Sequence, residues 1–379
     1  MAPRVIRFQA PRLPPVEDIA AYFARADEIR WYSNRGPCHE LLVERLEAHL
    51  DVRCVPLANA TLGLMLALRA LVGGGGDRRR EVLLPSFTFA ATINAVLWAG
   101  LEPVFVDVDE RSWHLDPAQL EQALAVRAGS TAAVLACSTF GMPPPAAHRV
   151  AWEDAARAAG VPLIVDSAAG FGATGDDGAL LGRQGDVEVF SFHATKPFAI
   201  GEGGLVTTTD DELARRMLRL TNFGFESGVV DGDVGLNAKL PEWSAATALA
   251  VLDGYDDVLA HRRACARRML DGLEVHGYQH QSGTEGAAWQ FVPVLAPSAA
   301  VRAAALETAR RNDIEVRTYF SVPLHRMPAF ASVPSVGGLR CTDDLAERAL
   351  SLPMANDLSR DDMDAIVASL AEATVPAVR

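Results

Sequence analysis

From about residue 50 to residue 210 the chain alternates short β-branched, almost wholly apolar runs with longer stretches in which apolar residues recur every three or four positions. The short runs are CVPLA at 54–58, EVLLP at 81–85, EPVFVDV at 102–108, TAAVLAC at 131–137, VPLIVDS at 161–167, VEVFSF at 187–192 and GGLVTT at 203–208. They predict seven strands. The stretches of helical period are ATLGLMLALRALV, TFAATINAVLWAG, DPAQLEQALAV, HRVAWEDAARAAG and DDELARRMLRLTNFG. Several open on Asp or Thr, which cap a first turn, and several close on Gly, which ends a helix. Alternating strand and helix predicts an α/β fold, a largely parallel sheet sandwiched by helices, with ligands gathering at the carboxyl ends of the strands.

After a turn spanning Gly235 to Pro241 the pattern changes. The segment PEWSAATALAVLDGYDDVLAHRRACARRMLDGL predicts one long helix or a bent pair, a bridge between two units. Beyond it, strands WQFVPVLA and DIEVRTYF are expected among helices AAVRAAALETARRN, DDLAERALSLP and SRDDMDAIVASLAEA, a smaller α+β arrangement. The expected organisation is an N-terminal arm at 1–35, a large α/β domain at 36–255 and a small C-terminal α+β domain at 256–379. The one low-complexity stretch, GGGGDRRRE at 73–81, reads as a loop.

Composition narrows the function. With 379 residues, 49% apolar and 22% charged, the chain can bury a large core. A formal charge of −13 opposes binding to a phosphate backbone, so no nucleic-acid partner is expected. Apolar runs stop short of membrane-span length and the opening MAPRVIRFQAPRLPP has no leader-like apolar stretch, so the expectation is a cytoplasmic protein without a membrane partner. Five widely spaced cysteines read as reduced packing residues. Of 35 basic residues only Lys196 and Lys239 are lysine. Arginine stays protonated at any working pH, so amine chemistry must come from these two side chains or the N-terminus.

Lys196 stands in the most informative stretch, DVEVFSFHATKPFAIGEGGLVTT, just beyond an expected buried strand. Partial desolvation there would lower its pKa and free the amine for Schiff-base chemistry; the competing reading is an exposed loop lysine. Asp166 follows the apolar run Val161–Val165 and should lie at a strand's carboxyl end, where a buried carboxylate needs a cation such as a protonated pyridine nitrogen. The competing role is an N-cap for the next helix. Asn59, Ala60 and Thr61 end a strand and open a helix, an arrangement that seats anions, and Ser191 can add a hydroxyl. Phe89, at a strand-to-helix turn, could stack on a pyridine ring or pack in the core.

These pieces resemble a known family. The elements NAT-x-G-x-x-x-AL at 59–68, PSFTFAATINAV at 85–96, D-x-AA-x-x-GA at 166–173, SFHATK…GEGG at 191–204 and G-x-N-x-K-x-x-E at 235–242 are similar to those of the DegT/DnrJ/EryC1/StrS sugar aminotransferases. So are RTYFSVPLH at 317–325 and ALSLPM at 349–354. The resemblance implies pyridoxal 5'-phosphate (PLP) fold type I. It makes Lys196 the Schiff-base lysine, Asp166 the partner of the pyridine nitrogen, Phe89 the stacking aromatic, and Ala60, Thr61 and Ser191 phosphate ligands. Asn237 would reach the phosphate of a neighbouring subunit, implying a homodimer with shared active sites, and His325 would lie near a sugar substrate. Three positions depart from the family pattern. Asn59-Ala60 replaces Ser-Gly, Ala169 stands where Gln usually touches the cofactor's 3′ oxygen, and Lys239 stands where Arg is common, open to an ion-pair, a substrate-phosphate or a structural role.

The implied reaction moves an amino group from L-glutamate or L-glutamine to a keto-sugar, expected to be nucleotide-linked; a cyclitol or other ketone acceptor is the alternative. A PLP-dependent sugar dehydratase and a non-catalytic binding module are the rivals, and the first is opposed by the presence of Lys196. Neither Gly run is a nucleotide fingerprint, His276 and His280 form no metal motif, and Cys137 reads as core.

Overall fold

A computed structural model describes residues 5–73, 79–230 and 232–374. Most of the expected loop at 73–81, residues 74–78, therefore lies outside the described residues. The seven expected strands form at β1 (Arg53–Leu57), β2 (Glu81–Pro85), β3 (Glu102–Val106), β4 (Thr131–Cys137), β5 (Leu163–Asp166), β6 (Val187–Ser191) and β7 (Gly204–Thr208). They make one sheet in the order β1-β7-β6-β5-β4-β2-β3. Only β7 runs against its neighbours, so the carboxyl ends of the other six and the start of β7 share one edge.

Helices α1 (Val16–Glu28), α2 (Pro37–Leu50), α3 (Ala60–Val72), α4 (Ala90–Trp98), α5 (Pro117–Val126), α6 (Ala146–Ala159) and α7 (Asp211–Leu220) surround the sheet. Alternate strand residues explain the sandwich. Leu84, Ala133, Leu135, Ile164 and Val189 pack with Leu64 of α3, Ile93 of α4 and Met217 of α7. Their neighbours Leu83, Val134, Ala136 and Val165 pack with Leu120 of α5 and Trp152 of α6 on the opposite face. Burying both faces is why these strands read as continuous apolar runs, each large side chain contributing about 1.5–3 kcal/mol.

A two-residue hairpin, β8 (Phe225–Glu226) and β9 (Val229–Val230), precedes α8 (Glu242–Asp253) and α9 (Tyr255–Glu274). The long helical segment is thus a pair, parted at Gly254. In the N-terminal stretch α1 lies on α8, with Tyr22 donating to Asp253 at 2.8 Å and Phe23 edge-on to Trp243. Last come β10 (Val292–Leu295), α10 (Ala299–Arg311), α11 (Arg340–Arg348), β11 (Ala349–Leu352) and α12 (Arg360–Glu372).

Two expectations for this part need correction. DIEVRTYF is not a strand. Ile314 and Arg317 make isolated bridges to Ile6 and Ser351, and Asp313 and Phe320 at φ 55° and 63° break the extended path at both ends. ALSL was expected as the tail of a helix. Instead all four residues are buried and pair antiparallel with β10, whereas an amphipathic helix would have exposed part of the run. No helix among the described residues is long and apolar enough to cross a membrane.

Candidate active site

At the shared edge of the sheet lies a cavity of about 780 Å³. Its lining includes Ala60, Thr61, Phe89, Asp166, Ser191 and Lys196, which come from the ends of four strands, β1, β2, β5 and β6, or the segments just after them. One end is built for an anion. β1 runs into α3 through Asn59, whose side chain caps the helix by accepting from Leu62 N at 3.0 Å. First-turn N–H groups such as those of Ala60 and Thr61 have no helical acceptor, and the helix dipole is positive there. Ser191 brings a hydroxyl to the same cavity, and its N–H donates to Ala168 O at 3.1 Å. Gly204, opposite both Leu57 and Ser191, is required by close approach: a Cβ there would lie 2.7 Å from Ala60 N and 2.8 Å from Asn59 C. A side chain at 204 would push on the backbone that forms the anion seat.

Deeper in the cavity Asp166 is 4% exposed. Burial raises its pKa, and three groups oppose the rise: Thr92 Oγ1 donating at 2.8 Å, Ala168 N donating at 3.2 Å, and the positive field of Lys196. The carboxylate thus holds a local turn and also faces the cavity, where it can meet a cation. Lys196 is half-buried as a residue because the cavity opens on it, but its amine is enclosed by protein. Burial pulls its pKa down to about 8, against the opposing fields of Asp166 and Cys137. Such an amine is available as a nucleophile near neutral pH, as an ordinary lysine is not. Cys137 is buried beside Asp166 in the sheet register, with its thiol pushed up by desolvation.

Phe89 is 62% exposed at the N-cap of α4, so it is not a core residue in this chain. Ala169 also lines the cavity. The turn Phe140–Gly141, at φ 61° and 78°, packs directly on it; a Cβ on Gly141 would lie 2.4 Å from the Ala169 carbonyl. Across the cavity stand Phe140 and Phe320, stacked at 4.7 Å, with Phe291 and Tyr319.

Three candidates lie elsewhere. His325 Nδ1 is 2.8 Å from Ser86 Oγ and its Nε2 is 3.1 Å from Asp343, so its ring is held outside the cavity lining. Lys239 donates to Asn222 at 2.7 Å and to Asn237 at 2.8 Å, and sits over the Phe223 ring. Asn237 is exposed. This cluster borders the anion seat, since Leu57 bridges to Lys239 and Ala58 N donates to Ala238 O at 2.8 Å. Conversely, sequence reasoning passed over Thr92, Gln290 and the aromatic wall. Thr92 stands three residues after Phe89 in a quoted motif, which was a usable signal, whereas Gln290 lay in a segment that read only as strand.

An anion seat, a buried carboxylate and a depressed lysine amine in one cavity suit the phosphate, ring nitrogen and aldehyde of PLP, and together with the sheet order they define a PLP-dependent aminotransferase of fold type I. A family model agrees over residues 15–371: the chain belongs to the DegT/DnrJ/EryC1/StrS aminotransferase family. Among proteins of known sequence it is 36% identical to Protein Rv3402c of Mycobacterium tuberculosis over 375 residues, 98% of this chain and 90% of the relative. It is 30% identical to a dTDP-4-amino-4,6-dideoxy-D-glucose transaminase of Shigella dysenteriae over 368 residues, 96% of this chain and 97% of the relative. Among solved structures it superposes on DesI, captured in the presence of its TDP-sugar product, with a TM-score of 0.87 at 32% identity, covering 98% of this chain and 93% of that one. A DegT/DnrJ/EryC1/StrS aminotransferase from Brucella abortus matches with a TM-score of 0.84 at 28% identity, covering 94% and 95%.

Proposed function

We propose that this aminotransferase moves an amino group from L-glutamate or L-glutamine to a keto-sugar carried on a nucleotide. The observation that carries the reading is Lys196, one of two lysines, enclosed in the same cavity as a buried carboxylate and a helix N-terminus. The nucleotide-sugar acceptor is supported by the Shigella transaminase, named for a dTDP sugar, and by DesI, whose structure was determined in the presence of its TDP-sugar product.

PLP, when bound, supplies an electron-withdrawing ring that accepts the charge left when a proton leaves the amino donor's Cα. The chain's own residues do the rest. Ala60 and Thr61 N–H groups with the Ser191 hydroxyl would hold the phosphate, and Phe89 would cover one face of the ring. Asp166 would keep the ring nitrogen protonated; Thr92 and Ala168 hold its carboxylate in place for this. Lys196 would hold the cofactor through its amine and, as a free amine, would take the proton from the donor's Cα as general base and deliver it, as general acid, to the cofactor's aldehyde-derived carbon. A free amine titrating near 8 can do both at physiological pH. The Phe140, Phe291, Tyr319 and Phe320 wall would give the reacting centre an apolar side that shields it from water.

We also assign the active unit as a homodimer. The Lys239–Asn237 cluster borders the anion seat yet faces outward beside exposed Phe223, Phe225, Val234 and Leu236, a surface suited to a second copy. In that copy's site Asn237 would touch the phosphate.

The test offers keto-sugar nucleotides and cyclitol ketones with glutamate and follows the mass shift on amination, alongside the visible absorbance of the cofactor-loaded protein. The expected result is amination of a nucleotide-linked sugar and a visible band abolished by borohydride and absent in Lys196→Ala. Amination of a cyclitol alone would move the acceptor class; absence of the band would overturn the reading.

A further inference from the structure

Lys196 is approached from three elements: Asp166 ends β5, Cys137 ends β4, and Gln290 arrives on the stretch leading into β10. Among the described residues, the hydrogen-bond partner of the amine is Gln290, whose Oε1 accepts from Nζ at 3.1 Å. Gln290 is 94 positions away in sequence and 7% exposed. An amide can present either its oxygen or its nitrogen, and here a string of contacts decides which. Gln290 Nε2 donates to Thr195 Oγ1 at 3.4 Å. That hydroxyl lies 2.9 Å from His193 Nδ1, which also accepts from Thr195 N at 3.2 Å. A ring nitrogen accepting from a backbone N–H carries no proton, so the hydroxyl donates to it and is free to accept from the amide. The proton of the ring then sits on Nε2, facing the Glu202 carboxylate at 3.6 Å. With each group's role fixed, the amide turns its oxygen to the lysine.

We infer that Gln290 is a positioning residue for Lys196: it holds the amine with an acceptor that bears no charge, and Thr195 and His193 set the amide in that orientation. The inference rests on the reading of Lys196 as the cofactor-binding lysine. An uncharged acceptor suits that role. It fixes where the N–H groups point, and so where the lone pair points, without pinning the amine as an ammonium, which a carboxylate at the same distance would do. The other titratable groups facing the amine are Asp166 and the neutral Cys137 thiol, with His193 and Glu202 further along the string. Because Gln290 belongs to the segment entering β10 while Thr195 and His193 belong to the turn after β6, the pose of the amine depends on how those two elements dock.

The chain's lysine content gives a direct readout. In the full-length protein stripped of cofactor, acetylation by acetic anhydride followed by peptide mass analysis yields the rate at Lys196 against Lys239 in the same sample. Gln290→Glu and Gln290→Met are close to glutamine in size, so a role in packing alone would tolerate both. At pH 8, Gln290→Glu is expected to lower the Lys196 to Lys239 ratio by about tenfold or more, since a carboxylate at that range favours the charged amine by one pKa unit or more. Gln290→Met is expected to leave the ratio equal to the wild type or higher, yet to lower turnover of the loaded enzyme by about tenfold or more while KM for the amino donor stays within about threefold. A ratio in Gln290→Glu within about twofold of wild type would overturn the inference. So would undiminished turnover in Gln290→Met, the variant that carries the test if the charged one does not fold. Failure of the underlying reading is separable: wild-type protein with added PLP would then not be trapped at Lys196 by borohydride, whatever the labelling ratios.

Discussion

Arginine stands at 33 of the 35 basic positions of this chain, and the two lysines are not equivalent. Lys196 has its amine enclosed in protein beside Asp166, whereas Lys239 makes two hydrogen bonds to asparagine carbonyls near the surface. Guanidinium can replace an ammonium in the second setting, with more donors than it needs, but cannot bind an aldehyde or shuttle a proton in the first. Lys196→Arg is therefore expected to abolish turnover, to below about one part in a thousand of wild type, while Lys239→Arg keeps it within about threefold. Steady-state amination rates of the two variants check this, and equal tolerance would refute it. The residue scale also shows what a motif conceals. Ala169 lines the cavity on one side and packs under the backbone of Gly141 on the other, so part of the space around it is taken by that turn.

At the scale of elements, the cavity exists because several chain segments end on one sheet edge, and their ends must be held still. Glu188 in β6 shows the cost. Its buried carboxylate accepts from Gly182 N at 2.6 Å, Gln184 N at 3.1 Å, Gln184 Nε2 at 3.0 Å and Ser167 Oγ, tying the 182–184 loop and the residue after Asp166 to one strand. Burial raises its pKa to about 7, outweighing those four donors. A folded pKa above the unfolded one means that protonation favours the fold: the contribution is complete below about 4.5 and is lost as pH rises through about 7. Glu188→Gln, which cannot titrate, is expected to lose stability relative to wild type as pH falls from 7 to 5. Urea midpoints at the two pH values measure it; a difference between the proteins that does not change with pH would refute the assignment.

On the scale of the whole molecule, the cavity joins three parts of the chain: the sheet edge, the turn after β6, and the segments around 290 and 320. The core beneath the last of these mixes distant residues, with Ile6 and Phe8 from the N-terminus and Phe87, Trp113 and Phe140 from the sheet side packed among residues of α9, β10, β11 and α12. A second copy of the chain would complete the phosphate end. Light scattering is expected to give twice the chain mass, and Asn237→Ala to weaken cofactor retention by about tenfold while leaving the mass unchanged. A monomer with full activity would remove the shared-site reading.

Much of this was legible in the residues alone. The seven strands follow from runs too apolar to expose either face, and Lys196, Asp166 and the Asn59–Thr61 turn stand out because their chemistry is expensive or rare where the pattern puts them. Local pattern failed where distant partners decide. ALSL is a strand because β10 lies beside it, DIEVRTYF is not one because it has only single bridges to hold, and Gln290 matters only because folding carries it across 94 positions to an amine. Period and composition are properties of neighbours in sequence, and they settle which segments are buried and which side chains can do amine chemistry. Which groups meet, and therefore how the lysine is held and which aromatic rings wall its cavity, depends on packing between segments far apart in the chain, and only the tertiary structure decided it.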